Sequence, residues 1–399
     1  MSALVVFILM LLACLLAVPT TVFLAEIIAA VTLPRLRTVI GAGTPRRHLA
    51  VLIPAHNETS GLLPTLSDIR SQLLTGDRLL VVADNCSDDT AALAKAHGAE
   101  VIERHDLAKR GKGYALAYGI RHLTFNPPAI VIMVDADCRV DPNTIDQLAL
   151  NCAATGQPIQ GMNTMVPPAK SLVKYQIAEF AGRVKQWLRP LGLSKLGLPC
   201  QMTGTGMALP WDALRSVDLE SGNIAEDIKL GLQLTLAGYS PVFCETAGVR
   251  SEFPSSIKGA TTQRKRWEQG HIQTICNDAP HMISLALARH NWRLLALTFD
   301  VIVPPLSLLV IFAVGLFLVT VVAALVGFSY VPLAITTATL LVLVIAVLSA
   351  WLKCGRDILP PRAFLSVIPY VLGKLGLYGR IISGKADARW DRTDREKVE

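Results

Sequence analysis

Asp135 and Asp137 stand one residue apart at the end of the apolar run Ile130 to Val134. Two carboxylates on one side of an extended turn make a hard-oxygen site for Mg²⁺ or Mn²⁺, and such a site suits a diphosphate. The pattern is short; a plainer reading has Asp135 capping the helix that starts near Pro142 and Asp137 as a solvated turn residue. Asp84 closes a second apolar run, RLLVVAD, and is followed by NCSDDT. A carboxylate there can accept hydrogen bonds from a nucleobase edge or a ribose, while Asp88 and Asp89 serve as caps of the next helix. In Lys109-Arg110-Gly111-Lys112-Gly113 basic side chains and permissive backbone meet at a helix N-terminus, an arrangement that receives phosphate.

These residues need a scaffold that gathers strand ends on one edge. A run as dense as IVIMV, rich in β-branched residues, reads as a strand buried on both faces of a mostly parallel sheet. LAVLIPAHNE (Leu49 to Glu58), RLLVVADNCSDDT (Arg78 to Thr90) and EVIER (Glu100 to Arg104) read as further strands. SGLLPTLSDIRSQLL and TAALAKAHG between them carry apolar residues at helical spacing. The alternation is βαβ, hence an α/β fold with a right-handed parallel sheet whose ligands bind at the carboxyl ends of the strands.

The chain has 399 residues, 52% of them hydrophobic, and a mean hydropathy of +0.44. That is too apolar for an ordinary soluble enzyme, and the middle is too charged for helices in lipid alone. A soluble domain carrying membrane anchors satisfies both. Leu4 to Ala25 is long and apolar enough to span a bilayer. No positive charge precedes it, and Arg35, Arg37, Arg46 and Arg47 follow, which places the N-terminus outside and the next segment in the cytosol. Leu294 to Phe328, bent at Pro304-Pro305, and Val331 to Leu352 form a hairpin of two more crossings, with Lys353, Arg356 and Arg362 on the cytosolic side. Ala363 to Ser383 reads as an interfacial helix before a charged tail, a fourth crossing being the alternative. The net charge of +7 and the basic clusters fit a solvated face, anionic headgroups or a phosphate-bearing substrate alike. Eight cysteines without metal-type spacing fit a reduced, cytosolic domain.

Taken in order, IPAHNE, DNCSDDT, KRGKGYALAYGI and VDADC resemble the nucleotide-binding half of family-2 inverting glycosyltransferases, which share the A-type fold. The resemblance implies a nucleoside-diphosphate-sugar donor, a UDP-sugar ahead of a GDP-sugar. Pro54 and Glu58 would be among the residues binding it, with Asp84 toward the base and ribose, Lys112 near the donor, and Asp135 and Asp137 around the metal-bound diphosphate.

Ser171 to Leu191 reads as an amphipathic helix, lying on the membrane surface or packed against the domain. Thr203 to Gly206 falls where the family has a small-residue turn bordering the acceptor, so Thr203 and Gly204 would touch it; an ordinary tight turn also explains the glycines. Glu226 and Asp227 open a helix, where acids favour the dipole by about 0.3–1 kcal/mol each. By resemblance the second acid of an x-Glu-Asp triplet is the catalytic base, here Asp227 with Glu226 beside it, although Ala225 replaces the common Thr. Gln263-Arg264-Lys265-Arg266-Trp267 matches the Q-x-x-R-W signature of cellulose, chitin and hyaluronan synthases. The match implies that Gln263, Arg264 and Arg266 hold the diphosphate or order the donor loop, and that Trp267 stacks on the acceptor sugar. Arginine forks do pair with phosphate, and an indole offers a flat apolar face. A basic interfacial helix with Trp among the headgroups is the alternative.

The expectation is therefore a multi-pass, metal-dependent inverting hexosyltransferase of a bacterial inner membrane, with one N-terminal and two or three C-terminal crossings. Its divisions are 1–33 as anchor, 48–157 and 158–276 as the donor and acceptor halves of a cytosolic unit, 294–352 as hairpin and 363–399 as interfacial helix and tail. The acceptor is a lipid-linked or growing polysaccharide. A single-sugar glycolipid synthase and a non-catalytic scaffold are the rivals, and no nucleic-acid partner is expected. Three crossings leave little helix to line a pore, which a homodimer or an assembly partner would supply.

Overall fold

The computed structural model describes residues 2–35, 45–167, 173–220, 225–254 and 257–382. Arg37, the head of the amphipathic segment at Ser171 and Leu172, and the charged tail from Ser383 lie outside the described residues. Helix α1 (Ser2–Thr32) opens the chain. The βαβ alternation follows as β1 (Leu49–Ala55), α2 (Leu62–Arg70), β2 (Arg78–Asp84), α3 (Thr90–Ala96), β3 (Glu100–Arg104), α4 (Lys112–Leu123) and β4 (Ile130–Met133). These strands pair in parallel in the order β3-β2-β1-β4. Alternate residues face opposite sides: Val51, Ile53, Val81 and Ile132 pack on Leu62, Leu66 and Ile69 of α2, whereas Leu52, Leu80, Val82 and Met133 pack on Ala115, Leu116 and Leu123 of α4. With both faces covered the strands must be apolar throughout, which is why they read as unbroken runs.

The rest of the sheet is mixed. It adds β5 (Cys138–Val140), α5 (Thr144–Thr155), β6 (Ile159–Val166), α6 (Val173–Arg183), α7 (Arg189–Lys195), β7 (Met207–Pro210), α8 (Trp211–Arg215), α9 (Glu226–Leu236) and β8 (Val242–Glu252). The full order is β3-β2-β1-β4-β7-β6-β8-β5. Strand β7 lies antiparallel to β4 with Met207 opposite Met133, so the residues just before β7 fold back onto the carboxyl end of β4. The expected parallel sheet is thus interrupted by a strand of only 4 residues, MALP, too short to carry a periodic signal.

Among the described residues three helices are long and apolar enough to cross a membrane: α1, and two that follow α10 (Ile257–Asn277), α11 (Ala279–Ala288) and α12 (Trp292–Val301), namely α13 (Leu306–Leu325) and α14 (Val331–Cys354). The run read as one bent crossing from Leu294 is in fact two helices. Pro304 and Pro305 bring no amide hydrogens, so one helix ends at Val301 and the next starts at Leu306. Helix α12 packs Leu294, Leu297 and Val301 against Ile228 and Leu232 of α9 and Met282 of α11, inside the protein rather than along the span. Beyond α14 come α15 (Val367–Leu372) and α16 (Leu375–Ile382).

The amphipathic segment is enclosed, which decides between its two readings. Helices α6 and α7 join through a π turn, Val184–Leu188. Their apolar side chains Ile177, Phe180, Val184 and Leu188 share one core with Phe23 and Ile27 of α1 and with Leu343 and Ala346 of α14. Its basic residues are not all outward: Arg189 is 4% exposed and sits between Glu26 of α1 and Asp300 of α12. Two acids from membrane-side helices take up its charge, so it tolerates burial.

Candidate active site

The carboxyl edge of the parallel half is held together by side chains. Asp84, 7% exposed, accepts from Arg104 at 2.6 Å and from Asn85 at 3.0 Å. In the parallel register Asp84 and Arg104 are partners, so the pair follows from strand alignment. Arg104 also donates to the Lys109 carbonyl at 2.8 Å and stacks on Tyr114, tying the basic turn to β2 and β3. Asp88 accepts from the Thr90 amide at 3.1 Å, whereas Asp89, at the cap position of α3, makes no side-chain capping bond, and the Glu58 amide donates to Thr90 Oγ1 at 2.9 Å. Pro54 pairs with Val82. Leu52 points its carbonyl to β4, so Pro54, two residues on, faces the same side beyond the end of the β4 ladder, where no amide is missed.

Lys112 opens α4 as expected, but its ammonium is not turned to solvent. It pairs with Asp135 and donates to the Gly204 carbonyl at 2.7 Å. Asp135 is not a helix cap: α5 begins at Thr144 with Asn143 before it. The Asp135 amide instead donates to Thr205 Oγ1 at 3.0 Å, a bond made available by the fold-back before β7. Asp135, Asp137 and Cys138 bring ligand-type atoms within 4.8 Å of one another. Burial pushes the Cys138 thiol up to about 11, so it is a thiol that hydrogen-bonds Ser251 at 3.1 Å and Thr205 at 3.5 Å. The donors that suit a hard cation are the two carboxylates.

Glu226 and Asp227 begin α9 and complete the cluster. Gly204, at φ +86°, leaves the space between them and Lys112 open: a Cβ there would lie 3.1 Å from Lys112 Nζ and 3.4 Å from Asp227 Oδ2. Thr203 is held by Gln160, which accepts from its amide at 2.8 Å. Burial, and then the Asp227 charge, push Glu226 up to about 7. Burial also raises Asp227, against Lys112 and Lys185, which favour its ionised form. Burial alone would lower Lys112, yet Asp135, Glu226 and Asp227 hold it above its ordinary value. Two acids thus share a desolvated corner in which the Lys112 ammonium is committed to Asp135.

Helix α10 carries the Gln263 to Trp267 motif, and its turn separates the residues. Gln263 is buried. Arg266 is lowered by burial, with Glu226 and Asp135 near enough to oppose the shift. Trp267 is 40% exposed. Arg264, expected to hold the diphosphate or order the donor loop, lies over the Tyr370 ring at 5.7 Å, on the side where Lys374 pairs with Glu268. Sequence reasoning passed over three residues: Arg104, Thr205 and Lys185. Strand register gives the first and a second Thr in TGTG hints at the second; nothing in the sequence turns Lys185 inward toward Asp227.

The model of glycosyltransferase-like family 2 matches residues 45–270, more than half of the chain. The protein belongs to that family. Among known proteins it is 26% identical over 243 residues to the poly-β-1,6-N-acetyl-D-glucosamine synthase of Staphylococcus epidermidis, with 58% of this chain and 56% of the relative covered. The synthase of the same name in Staphylococcus aureus is 25% identical over 245 residues, with the same shares covered. The match thus spans little more than half the length of these curated relatives. A solved structure of a mannosyltransferase from Pyrobaculum calidifontis, in complex with GDP-Man and Mn²⁺, superposes with a TM-score of 0.53 at 15% identity, covering 95% of this chain and all of that one. That likeness shows the fold, the A-type glycosyltransferase fold with its mixed sheet. By length and composition, three apolar helices among the described residues mark this member as a membrane protein.

Proposed function

We propose that the protein transfers a sugar, with inversion, from a nucleoside-diphosphate donor to a growing extracellular polysaccharide. The names of the Staphylococcus synthases favour an N-acetylhexosamine, and the motif resemblance favours a UDP-linked donor. One arrangement carries the reading: Asp227, an acid raised by burial, lies across Gly204 and Lys112 from Asp135 and Asp137. Asp227 takes the proton of the acceptor hydroxyl as that oxygen attacks C1 of the sugar opposite the departing diphosphate. One displacement inverts the anomeric centre, so an α-linked donor gives a β-glycoside and no carboxylate nucleophile is needed.

Asp135 and Asp137 would hold Mg²⁺ or Mn²⁺, which when bound neutralises charge on the leaving diphosphate. Lys112 and Arg266 add protein cations facing the same charge, and Gln263 supports that helix face. Asp84, fixed by Arg104, reads the base and ribose with Pro54 and Glu58 nearby in the chain. Thr203 and Gly204 border the acceptor, whose sugar ring Trp267 meets with its exposed face. Residues 48–157 serve the donor and 158–276 the acceptor. The basic residues flanking α1 and α14 set the sheet on the cytosolic side of the inner membrane, and a second copy of the chain adds the helices a polymer path requires.

The test is nucleotide release by the lipid-reconstituted protein against UDP- and GDP-sugars with either metal. Release from one UDP-N-acetylhexosamine with a long product, lost in Asp227→Asn and on chelation, is expected. A single-sugar lipid product would overturn the polymer; silence with every donor would overturn the transferase.

A further inference from the structure

The strip from Gln201 to Thr205 reaches Lys112, Asp135 and Asp227. Met202 is fully buried and lies 3.2 Å from where Gly231 of α9 would bear a Cβ, beneath the helix that presents Asp227. Gly204 gives its carbonyl to Lys112, and Thr205 holds the Asp135 amide. The strip is therefore the floor of the site.

Its free end is fastened from the membrane side. Gln201 donates through Nε2 to Asp300 Oδ2 at 3.0 Å. Asp300, near the end of α12, accepts from Arg189 on its other carboxylate oxygen, and its carbonyl accepts from the same Nη2 at 2.8 Å. Arg189 in turn donates through Nε to Glu26 of α1 at 2.5 Å. Glu26, Arg189, Asp300 and Gln201 are 1%, 4%, 3% and 7% exposed, so the whole chain of bonds is dry. The backbones meet at the same level: a Cβ on Gly192 would stand 1.9 Å from the Glu26 carbonyl oxygen, so α7 and α1 touch only because that residue is glycine.

A buried ionic group stabilises little that apolar residues of the same volume could not. What such a network does provide is a single geometry. We infer that Glu26, Arg189, Asp300 and Gln201 position the floor of the transfer site from the N-terminal membrane helix, with Gln201 as the positioning residue that sets Gly204 against Asp227. The inference rests on the glycosyltransferase reading. The base and ribose frame of Asp84 and Arg104 stands on β2 and β3, away from Gln201, so the network acts on the transfer end of the site, where the strip holds Lys112 and Asp135, and not on base recognition. A displacement of about 1 Å at reacting groups can cost on the order of 100-fold in rate.

The test uses Gln201→Leu and Glu26→Gln in the full chain in lipid. Gln201→Leu should lower kcat for transfer by roughly tenfold or more while affinity for UMP without metal, which engages the base and ribose frame but not the diphosphate site, stays within about twofold of wild type. Gln201→Leu combined with Asp300→Asn should lose no more than the worse single variant, because both cut the same link. Wild-type kinetics in Gln201→Leu, or UMP affinity falling in step with kcat, overturns the inference. Hydrogen exchange decides it without turnover: both variants should speed exchange of amides in residues 201–206, although Glu26 lies in α1, and unchanged exchange in Glu26→Gln also overturns it. A wild-type protein that releases no nucleotide from any donor overturns the transferase reading instead, and leaves the exchange result to judge the network on its own.

Discussion

Asp84 and Asp227 both stand at the carboxyl edge of the sheet, in surroundings that treat their charge in opposite ways. Asp84 has its charge met at contact by Arg104, itself fixed by the Lys109 carbonyl. Asp227 has no cation at ion-pair distance among the described residues; its carboxylate accepts from the Ile228 amide at 2.9 Å, and the nearest ammonium is turned to Asp135. A neutralised carboxylate is a fixed acceptor for hydrogen bonds. One left beside a second acid in a desolvated corner is poised to take a proton.

That contrast breaks down if the two acids respond alike to substitution. Asp227→Asn should cut transfer by on the order of 10²–10⁴-fold, the usual worth of a positioned base, with nucleotide affinity and the unfolding midpoint kept; wild-type nucleotide release would make Asp227 a structural acid. Arg104→Met should do the reverse, removing about 3–5 kcal/mol of stability by stranding a buried charge, as read in the denaturation of the reconstituted protein. An unchanged midpoint would mean that Asp84 does not depend on its partner. Trp267→Ala should weaken the acceptor side by roughly tenfold in kcat/KM, the scale of a lost aromatic contact, with donor binding intact; a matching fall in donor binding would move Trp267 to the other half.

The smallest effect is on pH. Glu226 and Asp227 are both raised, so at low pH the pair is protonated and cannot accept a proton. The rate should therefore climb with pH and level off above about 7, where Glu226 ionises. Lys112, Lys185, Asp135 and Arg266 complete the charges facing the pair. Glu226→Gln should move this acid limb to lower pH, because a like charge is gone, and Lys185→Met should move it to higher pH, because a cation is gone. Limbs that stay together in pH–rate profiles would show that neither neighbour tunes the base.

The donor edge was readable from the sequence because its signals are local. Each apolar run is a strand buried on both faces, and Asp84, Lys112, Asp135 and Asp137 stand at its end or at the next helix start. The membrane-side groups were not readable. Arg189 meets Glu26 and Asp300 across sequence separations of 163 and 111 residues, and no short pattern encodes a contact between helices that distant. Lys185 and Arg189 were taken with the basic side of an amphipathic helix, whose periodicity cannot tell a solvent face from one lined with acids from other elements. Strand β7 went unseen because four residues show no period, although it is what carries Thr205 to Asp135.

The core beneath α6 and α7 joins Phe23 and Ile27 of α1 to Leu343, Ala346 and Ala350 of α14. During synthesis, then, α1 must wait in the bilayer until Val331–Cys354 has followed it. Until that late arrival the transferase domain, though already translated, has an unfinished seat. Nascent chains stalled before Val331 should accordingly stay open to protease at the α6–α7 rod, and chains released after Cys354 should not.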